Sequence, residues 1–119
     1  MSPERARVFV VDDNDDYRDS LKEFLILSGH TVIAEATSLG SAMETIKGLE
    51  NVDVALIDGN LSETSRGGYD GARVAKEFRE KFPGVPLYAI SVDSQPWSDD
   101  PTLTKLNESW VIAERVTKA

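Results

Sequence analysis

Cysteine is absent from the 119 residues, which excludes disulfide scaffolds, thiolate metal sites and cysteine nucleophiles. Any chemistry has to run on oxygen and nitrogen groups. No apolar run approaches the ~20 residues that a membrane span requires, and the N-terminus lacks the charged-then-apolar order of a secretory signal. The expectation is a soluble, cytoplasmic protein. Positive charge is scarce: 13 Lys and Arg stand against 21 Asp and Glu, for a formal net charge of −8. Such a surface repels phosphodiester backbones and anionic headgroups, so proteins or small ligands are the expected partners, with no direct nucleic-acid contact and no membrane. Linkers, internal repeats and low-complexity segments are also missing, and the length suits one core but not two. Residues 1–119 are expected to form a single domain.

What is present is an alternation of strand and helix signals. Val8-Phe9-Val10-Val11 is a continuous β-branched and aromatic run that stops at Asp12-Asp13, as a strand buried on both faces would. From Asp15, the residues Tyr17, Leu21, Phe24, Leu25 and Leu27 recur at helical spacing, and Gly29 supplies a stop. Thr31 to Ala36 reads as a second strand. Ser41 and Glu44 have the spacing of a capping box, followed by an apolar stripe of Ala42, Met43, Ile46 and Leu49. Val54 to Ile57 is a third buried strand ending on Asp58, Gly59 to Gly68 is a loop, and a helix is predicted from about Asp70 to Phe82. Pro83-Gly84 breaks it. Leu87 to Ile90 makes a fourth strand ending on Ser91, Leu103-Thr104 a short fifth, and a last helix starts near Asn107. Repeated β-α-β units require a parallel sheet with helices on both faces, because right-handed crossovers put them there.

In an open sheet of this kind ligands bind beyond the carboxyl ends of the strands. Those ends carry Asp12 and Asp13, Asp58, Ser91 and, late in the chain, Lys105. Three carboxylates crowded together raise one another's pKa unless a cation sits among them. With oxygen donors only, and room for water and phosphate, Mg²⁺ is the expected occupant.

The order Val-Asp-Asp, Ile-Asp, Ile-Ser and Thr-Lys at successive strand ends resembles the response-regulator receivers of two-component signalling, over the whole chain. The resemblance implies a flavodoxin-like, doubly wound sheet of five parallel strands. It implies that Asp58 is the phosphoacceptor, Asp13 a direct metal ligand, Asp12 a water-mediated one, and Asn60 a ligand through its main-chain carbonyl. Ser91 and Lys105 would contact the phosphoryl oxygens. The implied cofactor is Mg²⁺, and the implied partners are a sensor histidine kinase or phosphotransfer protein and an output protein or effector domain. No enzymatic activity is expected beyond self-phosphorylation from phosphodonors and slow self-dephosphorylation.

Other uses of the same acids compete with this one. A calcium loop over Asp12, Asn14, Asp16 and Glu23 fails, because Tyr17 stands where glycine is needed and a strand precedes it. Asp13-x-Asp15 also resembles the nucleophile motif of haloacid-dehalogenase-like phosphatases, but only Glu108 and Glu114 follow Lys105 as acids. A receiver that binds partners without phosphorylation is the remaining alternative. Asp15, Asp16 and Asp19 read as a solvated helix start, His30 as a surface residue, and Trp97 and Trp110 as packing residues, with Trp97 a possible partner anchor.

The chain departs from the receivers it resembles at several points. Leu61-Ser62 replaces the proline expected after the acceptor, and the segment Thr64 to Gly68 is read as a tolerated surface insertion rather than a gate or a device presenting Arg66. Val92 narrows access beside Ser91, and Asn60 and Asp93 flank the phosphoryl group. Thr102 takes the place of the usual switch aromatic, and Leu106 follows Lys105 instead of proline. Only the thirteen positions Val92 to Thr104 separate Ser91 from Lys105. That is too few for a fourth helix within a normal crossover. The fourth helix is therefore expected to be shortened or absent, leaving the sheet edge near Tyr88 and Trp97 to dock a partner or be closed by Trp97 folding back.

Overall fold

A computed structural model describes residues 5–61, 69–92, 94–105 and 108–118. In chain order the elements are β1 (Arg7–Val11), α1 (Asp15–Leu27), β2 (Thr31–Ala36), α2 (Leu39–Gly48), β3 (Val54–Ile57), α3 (Tyr69–Lys81), β4 (Leu87–Ala89) and α4 (Ser109–Thr117). The strands form one sheet in the order β2-β1-β3-β4, and every pairing is parallel. The expected start of the last helix at Asn107, the insertion at Thr64 to Gly68, Asp93 and Leu106 lie outside the described residues.

β1 and β3 are central, and successive side chains on a strand point to opposite faces. Phe9, Val11, Ala55 and Ile57 meet Ala42 and Ile46 of α2 and Val74, Ala75 and Phe78 of α3. Val8, Val10, Val54 and Leu56 meet Leu21 and Leu25 of α1 and Ile112, Ala113 and Val116 of α4. This gives the doubly wound architecture that the uninterrupted apolar runs required. On α1 only Leu21 and Leu25 are buried; Phe24 and Leu27, read as part of the same stripe, face outward.

The edge strand β2 carries an irregularity. Val8 pairs with Val32 but Phe9 pairs with Ala34, so Ile33 is an extra residue. Without it Val32 and Ala34, two apart, would share a face; instead Val32 packs on the α1/α4 side and Ala34 on the α2/α3 side. Ile33 is left exposed on the rim.

Local hydrogen bonds correct two expectations. The capping box of α2 is built from Ser38 and Ser41, not Ser41 and Glu44, because the extended Ser38 starts the helix three residues earlier. Glu44 is an exposed partner of Lys47. His30 is not on the surface. Gly29, at φ 90°, lets the main chain close α1 with bonds from Gly29 N to Ile26 O and from His30 N to Leu25 O. That turn delivers His30 into the interior, 4% exposed, where Nδ1 accepts from Ala6 N at 3.0 Å and Nε2 lies 2.8 Å from Thr117 Oγ1.

The largest difference concerns the far edge. Among the described residues Leu103 and Thr104 form no fifth strand, so the sheet has four strands rather than five. The outer edge of β4 is satisfied largely by side chains. Leu87 N donates to Asp99 Oδ2 (2.7 Å) and Ala89 N to Ser98 Oγ (2.9 Å), while Asp99 N donates to Leu87 O (2.9 Å). Farther along, Lys105 N donates to Ser91 O at 2.8 Å. Pro101 offers no N–H to a ladder, and Asp100 folds the next residues into a turn by accepting from Thr102 N. Between Val92 and Pro101 no described residue is helical, as the count of positions required. The edge is nevertheless covered. Tyr88 is buried beneath Arg115, and Trp97 is partly buried against the α2/α3 side. Trp110, read as a packing residue, is half exposed.

Candidate functional site

The main chain fixes the acids before their side chains interact. Asp12 N donates to Ala36 O (3.0 Å) and Asp58 N to Val11 O (2.8 Å), so both are the first residues past β1 and β3, still tied to neighbouring strands. Asp12 is fully buried and Asp58 is 4% exposed, whereas Asp13 is exposed. One oxygen from each of Asp12, Asp13 and Asp58 lies within 4.8 Å of the others. The acidic cluster expected from three separate sequence positions is thus assembled.

Lys105 closes the cluster from the far end of the sheet. Its Nζ is 2.9 Å from Asp12 Oδ2 and 3.2 Å from Asp58 Oδ2. The contact with Asp58 is a hydrogen bond; that with Asp12 is an ion pair without hydrogen-bond alignment, so Asp12 Oδ2 is buried and lacks a hydrogen-bond donor. The remaining oxygens are held locally: Asp12 Oδ1 accepts from Asn14 N (2.8 Å) and Asp58 Oδ1 from Asn60 N (3.2 Å). Ser91 is buried at the end of β4, joined to Lys105 through its carbonyl.

Burial and the charge of Asp12 push the Asp58 carboxyl up to about 6, against the opposing pull of Lys105 and the Asn60 N–H. Burial likewise raises Asp12. Burial acts to lower the Lys105 pKa, but the two carboxylates outweigh it and the net shift is upward. Three carboxylates therefore face one ammonium, and the cluster is short of positive charge. An all-oxygen donor set with one buried oxygen lacking a hydrogen bond fits a hard divalent cation such as Mg²⁺.

Several contributors carry no obvious sequence signal. Arg18, on the second turn of α1, donates to the Asp12 carbonyl (2.8 Å) while pairing with Asp15 and Glu35, so it ties α1, β2 and the acid-bearing turn together. Tyr17 follows the N-cap Asn14, whose Oδ1 accepts from its N–H, and its ring centroid lies 4.8 Å from Lys105 Nζ. Burial, then the charges of Asp12 and Asp58, hold the Tyr17 phenol well above its ordinary pKa. Gly71 sits where α3 crosses the loop after Asp58, with its N–H donated to Gly59 O at 2.9 Å. A Cβ there would lie 2.6 Å from Asp58 O and Gly59 Cα and 2.7 Å from Trp97 Cζ2. Helical spacing alone marks Tyr17 as core; only the packing reveals its place, and that of Gly71, beside the site.

A parallel doubly wound sheet with this acid cluster and lysine at its carboxyl edge defines a receiver, and the response regulator receiver domain profile matches residues 8–105. The chain belongs to that family, a component of two-component systems. It is 36% identical over 95 residues to the NarL transcriptional regulatory protein of Mycobacterium tuberculosis, covering 79% of this chain and 41% of that protein. It is 34% identical over 84 residues to a cyclic di-GMP phosphodiesterase of Thermotoga maritima, covering 71% of this chain and 20% of that protein. The chain thus spans less than half the length of either relative. Among solved structures, the receiver domain of M. tuberculosis NarL superposes with a TM-score of 0.71 at 29% identity, covering 98% of this chain and 99% of that one. The receiver of Erythrobacter litoralis PhyR superposes with a TM-score of 0.78 at 18% identity, covering 99% and 92%, a likeness of fold. No described helix is long and apolar enough to cross a membrane.

Proposed function

We propose that Asp58 accepts a phosphoryl group and that the resulting acyl phosphate changes how the domain engages a partner. The observation that carries this is the burial of Asp58 at a strand end with Lys105 Nζ 3.2 Å away and Asp12 2.9 Å from the same ammonium. A carboxylate oxygen of Asp58 attacks phosphorus, the bond from phosphorus to the donor breaks, and the donor leaves as acetate or as a histidine ring of a kinase or phosphotransfer protein. Lys105 neutralises charge on the phosphoryl oxygens, and the Ser91 hydroxyl contacts one of them. Asp12, Asp13, Asp58 and the Asn60 carbonyl would hold Mg²⁺, which supplies the further positive charge that the cluster lacks. The extra charge on Asp58 then draws Ser91 inward and biases the flanking loops between two arrangements. The phosphoryl donor is a sensor histidine kinase or a phosphotransfer protein, and the output is a partner protein or an attached effector domain. The acidic surface suits a domain that works in the cytoplasm without binding nucleic acid itself.

The test is intact mass after incubation with Mg²⁺ and acetyl phosphate. One phosphoryl increment on the parent protein and none on Asp58→Asn is the expected result. Equal labelling of Asp58→Asn would overturn the assignment, and an unlabelled parent would favour a receiver that binds partners without phosphorylation. For the metal, Asp13→Asn should lower Mg²⁺ affinity more than Asp12→Asn, since a direct ligand loses more than a water-mediated one. Equal affinities would defeat that ranking.

A further inference from the structure

Lys105 has a neighbour that the phosphoryl-transfer reading does not use. Its ammonium lies over the Tyr17 ring, 4.8 Å from the centroid, while also pairing with Asp12 and Asp58. Tyr17 is placed by two features independent of that contact: its N–H is donated to the cap residue Asn14, and its ring packs on the α1/α4 side of the sheet, the cluster that includes Leu21 and Ile112. The phenol oxygen is buried and makes no hydrogen bond among the described residues. Among the described residues, then, no hydrogen bond to the phenol dictates where the ring lies; core packing and the ammonium do.

We infer that Tyr17 is a positioning residue for phosphoryl transfer, its ring face carrying the Lys105 ammonium between the acceptor and Asp12. This rests on the reading of Asp58 as phosphoacceptor. The physical case is that a lysine side chain is a flexible stem with a compact charge, and that one of its two anionic partners is consumed when Asp58 becomes an acyl phosphate. An aromatic face attracts a cation without using any of its three N–H donors. Lys105 can therefore turn from the Asp58 carboxylate to a phosphoryl oxygen while the ring keeps it over the pocket. A second carboxylate in that place would hold the ammonium more tightly and deepen the excess of negative charge. An aliphatic side chain would fill the same core volume and hold nothing.

Adduct formation with Mg²⁺ and acetyl phosphate is compared across Tyr17→Leu, Tyr17→Phe and Phe analogues at position 17 carrying one to three ring fluorines. Far-ultraviolet circular dichroism and thermal melts establish that each protein is folded. Tyr17→Leu is expected to form adduct about tenfold more slowly, Tyr17→Phe to restore most of that rate, and each fluorine to reduce it in turn, because fluorine drains the ring face while leaving the packing nearly unchanged. A purely structural ring would show no dependence on fluorine. In the unmodified protein the Lys105 methylene protons next to Nζ should resonate upfield in the parent and in Tyr17→Phe, but not in Tyr17→Leu. A labelled parent with a flat fluorine series, or no upfield shift, overturns the inference while leaving Asp58 as acceptor. An unlabelled parent overturns the acceptor assignment, and the role of Tyr17 with it.

Discussion

On the β2 flank the rim strand ends its sheet with a bulge at Ile33 and keeps Glu35 in ion pairs with Arg18 and Lys22. On the β4 flank the rim is overlaid by residues 95–105, and the ladder is completed by Ser98 Oγ, Asp99 Oδ2 and two main-chain N–H groups. The first edge is protected by irregular backbone and charge, which many sequences can supply. The second depends on individual side chains. A main-chain ladder survives substitution of its residues, but a bond accepted by one carboxylate or one hydroxyl is lost with that residue. Single substitutions should therefore be far more damaging beside β4 than beside β2, although the acid-bearing loops of β1 and β3 lie between the two.

The largest effect is expected at Gly71. Two of the three atoms that an added methyl group would strike belong to the backbone of Asp58 and Gly59 and cannot rotate away. Gly71→Ala should lose about 1–3 kcal/mol in urea denaturation, the usual range for overpacking a tight site, and should also slow labelling of Asp58. Adding Trp97→Ala should not restore it, because it removes only the third contact. A Gly71→Ala protein as stable as the parent would break the idea that α3, Trp97 and the Asp58 loop are closely packed.

Next comes Asp99. Its carboxylate accepts from Leu87 N and from Arg79, so Asp99→Ala leaves a buried strand N–H without its acceptor. The expected loss is roughly 1–2 kcal/mol, the lower part of the range for orphaned buried donors, because the Asp99 side chain is partly exposed and water can take its place. Asp99→Asn, which keeps an oxygen, should lose less. If Asp99→Ala unfolds at the same urea concentration as the parent, the side-chain ladder contributes nothing.

The comparison is sharpened at the opposite end of the sheet, where His30 joins the N-terminal side of β1 to the last turn of α4. Desolvation holds its pKa below the ordinary 6.5, against the opposing pull of the Ala113 carbonyl. A depressed folded-state pKa means that the unfolded chain binds the proton more readily, so this contribution to stability is present above pH ~6.5 and is lost as pH falls toward the folded-state value. Protonation would also set Nδ1–H against the Ala6 N–H. Denaturation at pH 8 and pH 5 should show a larger fall for the parent than for His30→Gln. Equal falls in the two proteins would remove His30 as the cause.

The smallest effect is expected on the β2 rim. Glu35→Gln removes charge from two partly exposed ion pairs and should change stability by no more than about 0.5 kcal/mol. A loss matching that of Asp99→Ala would erase the distinction between the flanks.

Much of this fold is legible in local patterns. The runs Val8 to Val11 and Val54 to Ile57 announce strands covered on both faces, and the acids that end them announce where a site must form. The thirteen positions between Ser91 and Lys105 leave no room for a fourth helix, and none is described there. The same count does not reveal whether Leu103-Thr104 pairs as a strand. That outcome depends on competition for the N–H groups of Leu87 and Ala89, which Asp99 and Ser98 win from positions that read only as turn formers. His30 misleads for a similar reason: polarity and a preceding glycine suggest solvent, while the two partners that satisfy its ring lie 24 and 87 residues away.

The parallel α/β class, the central strands and the set of acids at their carboxyl ends follow from local sequence alone, because burial on both faces and strand termination are written in neighbouring residues. Long-range packing is what sets Lys105 against both Asp12 and Asp58, lays Tyr17 beneath its ammonium, and brings Trp97 and Gly71 onto the Asp58 backbone. Those contacts join residues far apart in the chain, and their geometry follows from how helices settle on the two faces of the sheet. No local pattern encodes that settling, since the same apolar spacing that places Tyr17 on a core-facing stripe leaves Leu27, on the same helix, in solvent.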